Sequence, residues 1–155
     1  MTRGFTLIEL MVTLAIIAVL ATLVLPVAQV TIQRQKEQAL HLALREIRSA
    51  IDAYKKATDD GKIIKPVNST GFPKTLSLLV EGVADASDAK KNKMYFLRRL
   101  PRDPMNPDPD LEPADTWGKR AYASEPDEPQ EGEDVYDVFS KSTTVGLNGV
   151  PYNKW

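Results

Sequence analysis

The chain has no cysteine and only one histidine, His41, in its 155 residues. The first absence excludes disulfides, thiolate catalysis and cysteine-ligated metals. The second leaves a single imidazole for acid–base chemistry, and it falls mid-helix, one residue from an apolar stripe, where a surface or partly covered histidine is the ordinary outcome. Neither charge is in excess. Twenty Lys and Arg against 21 Asp and Glu give a net charge of −1, with a pI near 5.9. Such a balance carries no general attraction to nucleic acid or anionic lipid. A Gly-rich phosphate-cradling loop is also missing, and the acidic runs lack the Asp-x-Asp-x-Asp-Gly spacing of a calcium loop.

What the chain does have is one long apolar run, GFTLIELMVTLAIIAVLATLVLPVAQV from Gly4 to Val30. Leu10 through Ala28 carry no formal charge, close to the roughly 20 residues a helix needs to cross the hydrocarbon core. Thr13, Thr22 and Pro26 interrupt it. A hydroxyl in a helix bonds back to a carbonyl one turn earlier, and Pro26 near the far end implies a tolerated kink. Glu9 is the anomaly. An intramembrane charge costs from roughly 2.5 kcal/mol upward, and no cation lies within a helical turn of it. Two readings stand on the residues alone. Either Glu9 sits at the headgroup level and reaches water, or it has a partner that comes from elsewhere.

A secretory signal peptide fits this opening poorly, because the apolar run exceeds the typical 7 to 15 residues of a signal core and contains Glu9. Charge counting leaves the orientation open, with Arg3 on one side and Arg34 and Lys36 on the other.

The opening Arg3-Gly4-Phe5-Thr6-Leu7-Ile8-Glu9 resembles the cleavage motif of type IV prepilins and of the pseudopilins of type II secretion. The resemblance implies a leader, Met1 to Gly4, cut after Gly4 on the cytoplasmic face by a prepilin peptidase that also methylates the new amine of Phe5. It further implies that Glu9 meets the Phe5 amine of a neighbouring subunit during assembly, which agrees with the missing local cation. Gly4 and Phe5 are thus the expected processing residues and Glu9 the expected assembly residue.

From Thr31 to Asp60 no Gly or Pro stops the helix, and Leu40, Leu44, Ile47, Ile51 and Tyr54 form one stripe at a 3.6-residue period. The helix is therefore expected to run from Phe5 to Thr58, roughly 80 Å at 1.5 Å per residue, half in lipid and half against a head. Gly61 reads as a left-handed cap. Residues 62–73 are turn-rich. Lys74 to Val83 predicts a short helix capped by Thr75, with Leu76, Leu79 and Val80 inward. Residues 94–100 read as a short helix or edge strand. Five prolines between Pro101 and Pro113 predict a stiff surface loop. Lys119–Glu125 and Val135–Ser142 predict an antiparallel hairpin with an acidic tip. In the tail, Leu147, Tyr152 and Trp155 are expected to pin the end by packing.

Leu100-Pro101-Arg102-Asp103-Pro104, Asp115-Thr116-Trp117-Gly118 with Tyr122, and Val135-Tyr136-Asp137-Val138-Phe139-Ser140 look like landmarks of the G-type major pseudopilins. The expected fold is α+β and pilin-like, a long N-terminal helix packed against a small head with a short helix and an antiparallel sheet. The expected division is a leader (1–4), a transmembrane segment (5–30), an amphipathic continuation (31–58) and a periplasmic head (59–155).

The resemblance also implies an inner-membrane subunit, amino terminus cytoplasmic, that polymerises into a periplasmic pseudopilus with other pseudopilins and the secretion platform. A type IV pilin of a surface fibre is the near variant. A single-pass membrane protein with a binding or catalytic periplasmic head is the reading from another class. No catalytic residue, cofactor or nucleic-acid partner is expected. G-type pseudopilins are known for a calcium ion held by the loop after the final strand. This chain departs from that pattern, having no carboxylate from Lys141 to Trp155, so the family's calcium site is expected to be missing.

Overall fold

The computed structural model describes residues 4–155, and of residues 23–26 the backbone alone. Met1 to Arg3 of the expected leader, and the Pro26 ring held responsible for a kink, lie outside the described residues. One helix, α1, runs Leu7–Asp59. Its apolar part belongs to a unit that ends at Lys36, and its later part to a unit from Glu37 to Trp155.

In the first unit the described apolar side chains of α1, from Leu7 to Leu20 and again at Val27 and Val30, face outward on every side. A helix segment apolar all round has no aqueous face, and this one, whose most apolar 18-residue stretch has a mean hydropathy of 2.7, is long and apolar enough to cross a membrane. Thr13 and Thr22 donate their hydroxyls to the carbonyls of Leu10 (2.9 Å) and Val19 (2.7 Å). Both hydroxyls are thereby satisfied inside the helix, as a hydrocarbon surrounding requires.

In the second unit the same helix is amphipathic. Leu40, Leu44, Ile47, Ile51 and Tyr54 are all buried, with Ala43, Ala50 and Ala57 filling the narrow positions beside them. Burial pushes the Tyr54 phenol up from its ordinary value. The helix ends where Gly61 takes φ +76°. There Lys62 N–H reaches Ala57 O at 2.9 Å and Gly61 N–H reaches Thr58 O at 3.1 Å, the paired bonds of a Schellman stop.

Onto this stripe pack a one-turn helix α2 (Leu78–Glu81), a two-residue pair β1 (Val83–Ala84) and β2 (Lys93–Met94), and the hairpin β3 (Trp117–Arg120) and β4 (Asp137–Ser140). Both pairs are antiparallel. In the hairpin Trp117 faces Ser140 and Gly118 faces Phe139. The Phe139 ring lies on Gly118 so closely that a Cβ there would stand 2.3 Å from it.

Several expectations need correction. The helix foreseen over residues 74–83 is a single turn, because Ser77 and not Thr75 precedes it and no side chain caps it, although Leu76 and Leu79 are buried as expected. Residues 94–100 contribute only the end of β2, yet Leu97 and Leu100 enter the core. β3 starts two residues before the foreseen Lys119.

The proline-rich segment does not lie wholly on the surface. Asp103 is buried, accepting from Ser140 Oγ (2.6 Å) and Met105 N–H (2.8 Å). Trp117 Nε1 donates to Pro101 O at 2.9 Å, so the segment is stapled to the hairpin. At the hairpin tip Asp134 is buried, taking hydrogen bonds from Tyr122 N–H (2.9 Å) and the Thr70 hydroxyl. In the tail Tyr152 is buried, but Leu147 is 45% exposed and anchors through its backbone instead.

Candidate functional site

The three residues singled out by the opening motif fall at the start of α1. Gly4, Phe5 and Thr6 are not helical, and Leu7 is the first helical residue. This start has a visible cause. Thr6 N–H and Thr6 Oγ1 both donate to Glu9 Oε2, at 2.9 and 2.8 Å, and Glu9 N–H returns a bond to Thr6 Oγ1 at 3.3 Å. This is a capping box, with Thr6 at the N-cap and Glu9 three residues in, satisfying amide donors that the first turn leaves unpaired.

The box does two things. It fixes the helix start beyond Phe5, so the Gly4–Phe5 peptide stands in irregular backbone, with Phe5 88% exposed and no heavy atom near the space a Gly4 side chain would fill. It also gives the Glu9 carboxylate two donors from its own chain. The sequence reading brought Gly4, Phe5 and Glu9 together but passed over Thr6, whose signal was present as a Thr-x-x-Glu spacing ahead of an apolar run.

His41 and two carboxylates of the proline-rich loop are engaged in contacts within the head. His41 stacks on Trp155 with ring centroids 4.3 Å apart, which covers one face of the imidazole. The carboxylates of the proline-rich loop cap local turns, Asp108 receiving Asp110 N–H at 3.0 Å and Asp103 receiving Met105 N–H. Among the described residues no group of three or more His, Asp or Glu is placed to hold a metal ion.

With the geometry in hand, comparison with known proteins adds three findings. Residues 1–25 match the family model of the prokaryotic N-terminal methylation motif. The type II secretion system core protein G of Klebsiella pneumoniae is 29% identical over 153 residues, covering 96% of this chain and 87% of that protein. Its Escherichia coli K12 counterpart is 33% identical over 110 residues, 68% of each chain. No solved structure matches. A methylation motif at the start of a long apolar helix, an α+β head packed on the continuation of that helix, and relatives of one name that cover from two thirds to nearly all of the chain converge. The chain belongs to the family of the type II secretion system core protein G, the major pseudopilins, and its role is that of a pseudopilin subunit.

Proposed function

We propose that this chain is made as a precursor, cut between Gly4 and Phe5 by a prepilin peptidase, methylated on the new Phe5 amine, and polymerised through its N-terminal helix into a type II secretion pseudopilus. The working division is the leader (1–4), the membrane segment (5–30), the amphipathic continuation (31–58) and the head (59–155), with the amino terminus cytoplasmic and the head periplasmic. The observation that carries this reading is the capping box of Thr6 and Glu9. A protease needs extended, accessible backbone, and the box keeps the Gly4–Phe5 bond out of the helix.

The box also explains how a lone carboxylate waits in the membrane. Two neutral donors from Thr6 offset part of the desolvation of Glu9, and they leave its charge uncompensated. A neighbour's Phe5 ammonium supplies the opposite charge, and in a low-dielectric surrounding that Coulomb attraction is one the neutral Thr6 donors do not provide. Exchange of Thr6 for that ammonium favours the polymer. The partners of this scheme are other copies of the chain, other pseudopilins, the prepilin peptidase and the inner-membrane secretion platform. The names of the relatives favour a secretion pseudopilus over a surface pilus.

The test separates insertion from assembly. Glu9→Leu removes an intramembrane charge from the monomer and strands the neighbour's ammonium in the polymer. Membrane insertion is expected to be unchanged or improved, while cross-linked filament falls at least tenfold. Filament at the unaltered yield would overturn the pairing. Gly4→Leu places a bulky side chain at the scissile bond and is expected to block maturation.

A further inference from the structure

The loop after the last strand is where a calcium ion is implied by the resemblance, and the donors of this loop do not fit one. From Lys141 to Trp155 there is no carboxylate. Several of the oxygens that remain accept from N–H groups of the tail itself. Ser142 O accepts from Asn153, Thr144 O from Tyr152 (both 3.0 Å), and Gly146 O from Gly149 (2.9 Å). Val150 O accepts from Gly146 N–H at 2.9 Å and from the Trp155 indole at 3.3 Å, and Asn148 Oδ1 accepts from Val150 N–H at 3.0 Å. Calcium takes six to eight converging oxygens, with carboxylates among them. Two nearby carboxylates are committed elsewhere, Asp103 of the proline-rich segment to Ser140 and Met105, and Asp137 of β4 to Arg48.

Another device holds the tail. Glu37, His41 and Arg48 lie 4 and 7 residues apart, a spacing that keeps them on one face of α1. Glu37 Oε1 accepts from Leu147 N–H and from the Tyr152 hydroxyl, both at 2.8 Å. One turn on, His41 stacks on the Trp155 ring. At the other end Arg48 donates from Nε to Asp137 Oδ1 (2.8 Å) and from one terminal nitrogen to Val138 O (3.0 Å) and Trp155 O (2.9 Å). One side chain therefore ties the last strand and the tail to the same point of the helix. A carboxylate that accepts N–H and O–H, and a guanidinium that donates to carbonyls, together satisfy both polarities of the segment.

We propose that α1 fastens the tail of this subunit without metal, Glu37 and Arg48 standing in for the calcium ion that the resemblance implies. The inference rests on the geometry of the tail, and it holds whether or not the chain forms a secretion filament. Folding of the head is then independent of calcium, unlike that of a head whose last loop is closed by the ion.

The full chain in detergent micelles tests this by limited trypsinolysis, with mass spectrometry following release of the 142–155 peptide after cleavage at Lys141. In millimolar calcium and in excess chelator the release rates are expected to agree within about twofold. Glu37→Ala removes a charged acceptor from two donors and is expected to speed release about tenfold in both conditions. Tyr152→Phe removes one hydroxyl from a ring that stays buried, and speeds release by a smaller factor. Because the two changes break the same contact, the double variant is expected to release no faster than Glu37→Ala alone. Calcium slowing release tenfold would overturn the proposal, and loss of that protection in Glu37→Ala would identify Glu37 as a calcium ligand. Unchanged release in both single variants would overturn it equally.

Discussion

Replacing Ile47 by alanine removes the side chain at the centre of the buried stripe of α1, where its exposure is 0%. Three carbons leave the core. At about 0.8 kcal/mol per buried methylene the transfer loss is roughly 2.4 kcal/mol. A cavity term raises the total to about 3–4 kcal/mol, within the range measured for such truncations. That is a large share of the 5–15 kcal/mol that holds an ordinary domain together. For a head of about 120 residues it lowers the unfolding midpoint by roughly 10–15 °C. The far-ultraviolet signal is a poor probe, because the apolar part of α1 stays helical in detergent. Near-ultraviolet dichroism reports the head through Trp117, which is fully buried. Leu42→Ala, five residues earlier on the outer face and 64% exposed, is the matched control and is expected to shift the midpoint by no more than about 2 °C. A loss below about 1 kcal/mol at Ile47, or equal losses at both positions, would refute the packing of the head on this stripe.

Three further outcomes follow from local geometry. Gly118→Ala drives a methyl group into the Phe139 ring and is expected to destabilise the head by about 1–3 kcal/mol, seen as a lower midpoint in the same assay. Gly61→Ala meets open space but must hold φ +76°, so a smaller loss of about 1 kcal/mol is expected from conformation alone. In the β1–β2 connection, Asp85 is held below the ordinary carboxylate range by the Ser87 hydroxyl and then its backbone N–H, and Asp88 by the backbone N–H groups of Lys90 and Asn92. A lowered carboxyl pKa stabilises the folded loop above the unfolded value and stops doing so as pH falls through the folded one. Amide exchange over residues 85–92, corrected for intrinsic rate, is therefore expected to quicken below about pH 4 and to be flat between pH 5 and 7. Equal protection at pH 3 and pH 6 would contradict this.

The parts of the molecule legible in the sequence are those whose cause is local. The stripe from Leu40 to Tyr54 repeats at the helical period, and each of its five residues is buried. Gly61 ends α1 because the helix needs a left-handed residue there, which a single residue type announces. The hairpin was recognisable from alternation, but its first strand was placed two residues late, since Trp117 and Gly118 gain their strand character from Ser140 and Phe139 across the pair.

What stayed hidden depends on residues distant in the chain. The burial of Asp103 rests on Ser140, 37 residues on, and the proline run around it gave every local sign of a solvated loop. The grip of Glu37 on Leu147 and Tyr152 spans 110 and 115 residues, and that of Arg48 on Trp155 spans 107, so neither leaves a trace in any window. The capping box is a different case. Its Thr-x-x-Glu signal is local and complete, and Glu9 serves both as the membrane-level charge and as the partner of the cap of the first turn.

The central claim is that the Gly4–Phe5 bond is the processing site of a pseudopilin precursor. Intact mass and N-terminal fragment spectra of the chain, produced in membranes with and without a prepilin peptidase, test it most directly. With the peptidase the mature chain is predicted to begin at Phe5 and to carry one methyl group on that amine, and without it to retain Met1 to Gly4. A chain that keeps residues 1–4 when the peptidase is active, or one cut beyond Pro26 as a secretory signal would be, would contradict the account.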